Sequence, residues 1–250
     1  MKREMLFAIL GILLFGGLVA FVAGTANYPN PARTLTVVNT ERVDNYTVIT
    51  ETAEAGNITT MNITGWTQTM TWAGFVGNVT GRIVLDDFDN NSLYDWRIAE
   101  PQGEVYASND TVDWAKIKCF NFTANGSVEI NLTLYESDLG LQPTDYDGVD
   151  ETFNATDHPT FWAGTTTLTG CPTTNLYQND APQNTYWWEV LLTDETNVVY
   201  AAIIEDDTAN SRGNVIGFDG KYYDYQIIVG ENGHNGDDYK WEYYFYVELE

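Results

Sequence analysis

Two cysteines, two histidines and five lysines are all that this chain of 250 residues carries of those types. No C-x-x-C, C-x-x-C-H or H-E-x-x-H arrangement can be written from Cys119, Cys171, His158 and His234, so zinc, haem and iron–sulfur centres are not expected. Basic charge is equally scarce, with 11 Lys+Arg against 36 Asp+Glu and a formal net charge of −25. Such a surface repels phosphate, which excludes nucleic-acid binding by backbone neutralisation, and no basic face is left for anionic lipid. Repulsion of this kind keeps a protein soluble in salty water or among divalent cations. Catalytic templates are missing too: there is no G-x-S-x-G, and the five Ser have no His nearby in sequence. With 36 acids, no carboxylate pair stands out as a glycosidase pair against a solvated acidic surface. The expectation is a protein that is not an enzyme, with no catalytic residues.

What is present is apolar and aromatic. Hydrophobic residues make up 44% and aromatics 14%, which excludes a disordered chain. Lys2 and Arg3 precede Met5–Gly24, twenty residues without a charge. A transmembrane helix needs about 20 such residues to match a hydrocarbon core of about 30 Å. A secretory signal has a shorter apolar region, about 7–15 residues, and a small-residue cleavage site, for which Gly24-Thr25-Ala26 would serve. Residues 1–26 are therefore read as an N-terminal hydrophobic helix, either a membrane anchor and assembly helix or a signal peptide. Both alternatives place residues 27–250 outside the cytoplasm, at the cell surface or secreted.

Asn-x-Ser/Thr sequons occur at Asn45, Asn57, Asn62, Asn78, Asn90, Asn109, Asn121, Asn125, Asn131 and Asn154. With 22 Asn and 36 Ser+Thr in 250 residues, chance supplies about three sequons against the ten present. All ten lie before residue 155, so the C-terminal part is expected to present a bare face. In this compartment Cys119 and Cys171 are expected to form one disulfide, worth about 4 kcal/mol by loop entropy.

Downstream of the apolar stretch, Asn27-Tyr28-Pro29-Asn30-Pro31 reads as a stiff extended linker, residues 27–33. Short runs rich in Thr, Val and Ile then follow at 34–38, 45–50, 57–64, 67–72, 78–85 and 93–99. Gly103–Ala107 is expected to return on the 93–99 strand through a turn at Glu100-Pro101-Gln102-Gly103. Helical turns are expected only within 110–120, capped by Asp110 or Thr111, and within 136–141. Strands are expected at 161–168, 186–192 and 198–204, then at 214–218 and 222–229 around Asp219-Gly220, and finally at 240–249. About twelve short strands without βα alternation predict an all-β, antiparallel β-sandwich, immunoglobulin-like or jelly-roll-like, as one domain over residues 34–250.

Ca²⁺ is the one cofactor the residues point to. Asp87, Asp89, Asn91 and Asp95 fall at positions 1, 3, 5 and 9 of a calcium loop, but Ile98 replaces the bidentate Glu at position 12. Asp145, Asp147, Asp150 and Glu151 form a second oxygen-rich cluster, and Glu205-Asp206-Asp207 a third; turn chemistry is the competing reading. Trp66, Trp72, Trp96, Trp162, Trp187 and Trp188 offer stacking platforms for sugars. Tyr222, Tyr223, Tyr225, Tyr243, Phe245 and Tyr246 offer an interface, against the alternative of core and cross-strand pairs.

An apolar N-terminus, an extended Pro-containing segment, and a Thr- and Asn-rich β region loaded with sequons and poor in Lys form a recognisable plan. It resembles that of archaeal secreted surface-filament subunits, pilin-like proteins and thread-like subunits that donate an N-terminal strand to a neighbour. The resemblance is architectural and covers the whole chain without a diagnostic motif. Arg3-Glu4 stands where a pilin-type peptidase site has Gly or Ala. It implies a self-associating structural subunit, a homo-oligomer or filament held to the membrane by its N-terminal helix. Contacts are expected in residues 27–40 and in the sequon-free C-terminal sheet. The alternative is a membrane-anchored adhesin, carbohydrate-binding or viral spike module.

Overall fold

The computed structural model describes residues 28–42, 47–98, 101–205, 215–233 and 240–249. Met5–Gly24, the candidate cleavage site, Asn45, Asp206, Asp207 and His234 lie outside the described residues. Of the described residues 34% are in strands and 7% in helices, and every pairing is antiparallel, which makes the class all-β. Among these residues no helix is long and apolar enough to cross a membrane.

In chain order the strands begin with β1 (Asn30–Pro31), β2 (Trp72–Gly77), β3 (Gly81–Asp86), β4 (Ser92–Ile98), β5 (Gly103–Ser108) and β6 (Lys118–Cys119). Helices α1 (Leu132–Asp138) and α2 (Val149–Thr152) follow, then β7 (Phe161–Ala163), β8 (Thr166–Leu168) and β9 (Thr173–Asn175). The last part holds β10 (Trp188–Thr193), β11 (Val198–Ile203), β12 (Val215–Ile216), β13 (Tyr222–Tyr223), β14 (Tyr225–Gly230) and β15 (Tyr244–Leu249).

A seven-stranded sheet in the order β1-β15-β5-β11-β10-β6, with β9 also on β10, forms the centre. Its middle strands GEVYAS, WEVLLT and VVYAAI are almost continuously buried, because both faces are covered. On one face Ala107, Leu191, Tyr200 and Ala202 meet Ile227 and Val229 of β14, Tyr135 and Leu139 of the α1 end, and Val149 and Phe153 around α2. On the other, Tyr106, Val190, Leu192 and Val199 meet Trp114, Phe161, Leu168 and Cys171. Trp114 lies edge-on to Tyr106 at 5.0 Å and Tyr246 at 5.2 Å, so alternate residues of β5 and β15 fix that face.

Several expectations are corrected. Residues 34–38, 47–50 and 57–64 form no strand, and 33–42 and 47–68 are exposed throughout; β2 starts only at Trp72. Their β-prone side chains find no backbone to pair with among the described residues, and a strand exists only as part of a ladder. Gly103–Ala107 does not return on β4. The strand β5 pairs with β11 and β15, while β4 pairs with β3 alone, since a buried apolar run is satisfied only at the sheet centre. The Pro-containing linker is extended but not free: Asn30 and Pro31 pair with Val247 and Tyr246 at the sheet edge, where a residue without an N–H is tolerated. The run 161–168 is a tight hairpin, β7–β8, turning where Gly164 adopts φ 61°. The helical turns are shifted as well. A 3-10 turn at Trp114–Lys116 is capped by Asp113 rather than Asp110 or Thr111, and α1 begins at Leu132 because the Asn131 side chain accepts the Leu134 N–H.

Candidate functional site

The chain leaves the central sheet at β1 as an arm that carries Leu35, Val37 and Val38 at 61 to 94% exposure. These residues lie within the segment expected to make assembly contacts. The strand β15 is paired along its length with β5, and on its other side with β1 at Tyr246 and Val247. Tyr246 of this strand is in the core, and the hydroxyl of Tyr243, just before the strand, donates to the Gly230 carbonyl at 2.5 Å. Phe245 is half-buried against Phe75. Exposed aromatic surface lies instead on Tyr222 and Tyr244, and on Tyr177 and Phe218, which periodicity did not single out.

Cys119 and Cys171 form the disulfide, tying β6 to the loop before β9 with Cα atoms 5.0 Å apart. Of the sequon asparagines among the described residues, Asn57, Asn62, Asn78, Asn90, Asn109, Asn121, Asn125 and Asn154 are exposed. Asn131 is half-buried: its Oδ1 caps α1 at 2.9 Å and its Nδ2 donates to the Ala124 carbonyl at 3.3 Å.

The residues of the calcium spacing are held by protein groups. The Asp87 carboxylate accepts the Asp89 and Asn91 backbone N–H and the Asn91 side-chain amide, and these bonds hold it below the usual carboxylate range. Asp95 sits on β4 and pairs with Arg82 at 2.8 Å. Among the described residues, one set of three acidic, His or Cys side chains has ligand atoms within 4.8 Å of one another: Glu136, Asp150 and Glu151. Two of these belong to the second oxygen cluster of the sequence. Glu136 was missed because it reaches the site from α1, some fourteen positions away. It is buried and accepts the Val149 N–H at 3.1 Å. Burial raises its pKa, and the neighbouring Asp150, Glu151 and Asp145 add to the effect. Glu151 is also raised, chiefly through its hydrogen bond with Asp150. Gly148 lies against these carboxyls, and any Cβ there would run into Glu151. The set has the hard oxygen ligands that Ca²⁺ takes.

A cleft of about 280 Å³ opens where the ends of β5, β10 and β11 meet the β7 hairpin, lined among others by Glu104, Glu205, Trp162, Trp188 and Phe161. Glu104 and Glu205 are both buried. Glu205 accepts the Trp187 N–H at 2.9 Å, and burial pushes its pKa up to about 7. The Trp188 indole N–H is buried with no acceptor among the described residues. Carboxyl groups beside indole rings suit hydroxyl-rich, flat-faced ligands. Of the other tryptophans, Trp187 is in the core, Trp72 donates its indole N–H to the Asp147 carbonyl at 2.7 Å, and Trp66 and Trp96 are exposed. No family model, curated protein or solved structure matches this chain.

Proposed function

We propose that this chain is a non-catalytic structural subunit of an extracellular filament or surface layer, of the archaeal pilin-like plan. Its N-terminal hydrophobic helix is an anchor or a cleaved signal, and its folded part is a single glycosylated β-sandwich. In this reading the ribbon of β2 and β14 and its helices form the layer packed on the central sheet. The observation that carries the proposal is the arm: Leu35, Val37 and Val38 stand in solvent directly after β1. Burying such β-branched and aliphatic side chains recovers about 1.5–3 kcal/mol each. An extended segment satisfies its backbone by adding to a sheet edge of another copy. The ten sequons before residue 155 agree with a glycan-covered outer side. Because the net charge of −25 opposes packing, assembly requires high salt or divalent cations. Deleting residues 34–40, which spares β1, is expected to abolish the assemblies that the intact protein forms in negative stain. Unchanged assemblies, or an intact protein that stays monomeric at every salt and Ca²⁺ level, would sink the reading.

The cleft favours a second reading, a carbohydrate-binding surface module. Here Trp162 stacks on a sugar ring, and Glu104 and Glu205 accept its hydroxyls. Quenching or enhancement of tryptophan fluorescence by methyl hexosides, lost in Trp162→Ala, is the expected outcome. A flat titration with mannoside, glucoside and galactoside removes this reading.

A further inference from the structure

Strand alternation gathers the side chains of the cleft from three strands. Glu104 stands opposite Ile203, Tyr106 opposite Ala201, and Ala201 opposite Val190. Glu104 and Ile203 therefore share a face with Tyr106 and Val190, and Trp188, two before Val190, joins them. Glu205 follows two past Ile203, just beyond the end of β11. That face is otherwise the apolar one of Trp114, Phe161, Val190 and Val199. Glu104 and Glu205 thus stand at the margin of a core, 3% and 7% exposed, where an unpaired charge is costly.

Glu104 lies 3.5 Å from the Tyr106 hydroxyl, which Glu248 reaches at 3.3 Å, so two acids crowd one phenol. Glu205 uses Oε1 for the Trp187 N–H, and its Oε2 has no hydrogen-bond partner among the described residues. Burial lifts its pKa to about 7, the response of a carboxyl that no neighbouring cation offsets. Among the described residues that line the cleft, none is Lys, Arg or His. A metal ion does not supply the missing charge. The three acids close enough to share one are Glu136, Asp150 and Glu151, beside α1 and α2 on the opposite face of the sheet, and Ca²⁺ takes about six to eight oxygens. The partner this cleft fits is a cation with an apolar body. Trp162, 47% exposed on the β7–β8 hairpin, and Trp188 supply aromatic faces that hold both C–H surfaces and cations. The net charge of −25 raises the local concentration of cations at such an opening.

We propose that the cleft takes an amino sugar, its free ammonium paired with Glu205 and Glu104 and its ring against Trp162. This rests on the carbohydrate reading of the cleft, to which it adds the charge of the ligand, and is independent of the assembly reading. A hydrogen bond from an ammonium to a carboxylate is about twice as strong as a neutral one, so the carboxyls select the amine over a hydroxyl. A cavity of about 280 Å³ is at the small end for ligand sites and suits one sugar unit rather than a chain.

The test uses the full chain in high salt, which screens its general acidity far more than a partly buried pair, and reads tryptophan fluorescence. Glucosamine is expected to bind about tenfold or more tightly than methyl glucoside and N-acetylglucosamine, which keep the ring but lack the charge. Glu205→Gln, which keeps an acceptor for the Trp187 N–H, is expected to narrow that gap to about twofold. Should this variant not fold, as judged by circular dichroism, the wild-type ranking decides alone, with Trp162→Ala expected to weaken all three sugars. Equal affinities for the three sugars overturn the proposal while the carbohydrate reading stands. A gap that a folded Glu205→Gln variant keeps also overturns it, because the preference then comes from acidity elsewhere. Cyclohexylamine binding as tightly as glucosamine overturns it together with the carbohydrate reading, since the hydroxyls then add nothing. Absence of binding by any of the sugars removes both.

Discussion

Phe88 is 100% exposed at the tip of the β3–β4 ribbon, and Phe153 is 1% exposed between α2 and the central sheet. The regions around them differ in the same way. Residues 101–249 bury both faces of a sheet, close it with a disulfide and hold most of the acids. Residues 28–98, β1 and β2 apart, lay out an arm and a two-stranded ribbon with apolar side chains in water, and the range holds eight acidic side chains against four basic ones. Both regions are rich in β-prone residues. The difference shows that β propensity becomes strand only where the same chain supplies a backbone partner, and becomes core only where it also supplies a covering layer. Where they are not, the same residues stand in water.

The comparison is tested most severely by making one substitution in both regions. Phe153→Ala is expected to cost about 3–5 kcal/mol, and Phe88→Ala to stay within about 0.5 kcal/mol, in urea midpoints. Equal losses would mean that the ribbon is packed in solution. Next in size is the disulfide: a Cys119→Ser/Cys171→Ser variant is expected to lose about 4 kcal/mol, and trypsin should then cut within 101–205 as readily as in the arm. A thermal midpoint unchanged by the double substitution would contradict this.

Acid should sharpen the contrast, because the raised carboxyls are buried in the body. Glu205 is lifted from the ordinary 4.5 to about 7, so between these values the folded state keeps a proton that the unfolded chain has lost. Its contribution is therefore complete below about pH 4.5 and fades as pH rises to about 7, by about 3 kcal/mol in all. The fully buried Glu189, driven well above its usual range by desolvation, acts in the same direction. Glu205→Gln is expected to flatten the stability–pH curve over this window while keeping an acceptor for the Trp187 N–H. A wild-type midpoint that rises from pH 4.5 to 7 would reverse the argument. The smallest effect belongs to the sequons. Asn131→Ala should cost about 1 kcal/mol as a lost helix cap, whereas Asn62→Ala in the arm should cost nothing measurable. Glycopeptide mapping is expected to find sugar on Asn57 and Asn62 and none on Asn131.

The strands that were legible in the sequence are those buried by their own neighbours. WEVLLT and VVYAAI, joined at Asp194–Asn197, pair as a hairpin, and Asp219-Gly220 turns β12 into β13. The arm was misread because its Thr, Val and Ile pattern is the same as that of a paired strand; nothing local distinguishes a strand from one that lacks a partner. Glu136 and Glu104 were not legible as site residues, and Glu205 was legible only as part of an oxygen-rich cluster, not as a neighbour of Trp188. Their meeting with Asp150, Glu151 and Trp188 depends on which strands are neighbours, and β5 lies between β15 and β11 across nearly a hundred residues of chain.

The sequence by itself determined the chemistry of the surface: the excess of acid, the ten sequons confined to one side of residue 155, the lone pair of cysteines and the alternation that makes sheet. These follow from composition and spacing, which any conformation preserves. Only the tertiary structure decided which β-prone runs become strands, that Asn131 caps a helix and is half-buried, that β15 lies between β5 and the short β1, and that the β3–β4 ribbon turns Ile83, Leu85, Tyr94 and Trp96 to water. Those outcomes depend on the register and burial of segments far apart in the chain, and the free energy of each is set by what the rest of the molecule places opposite it.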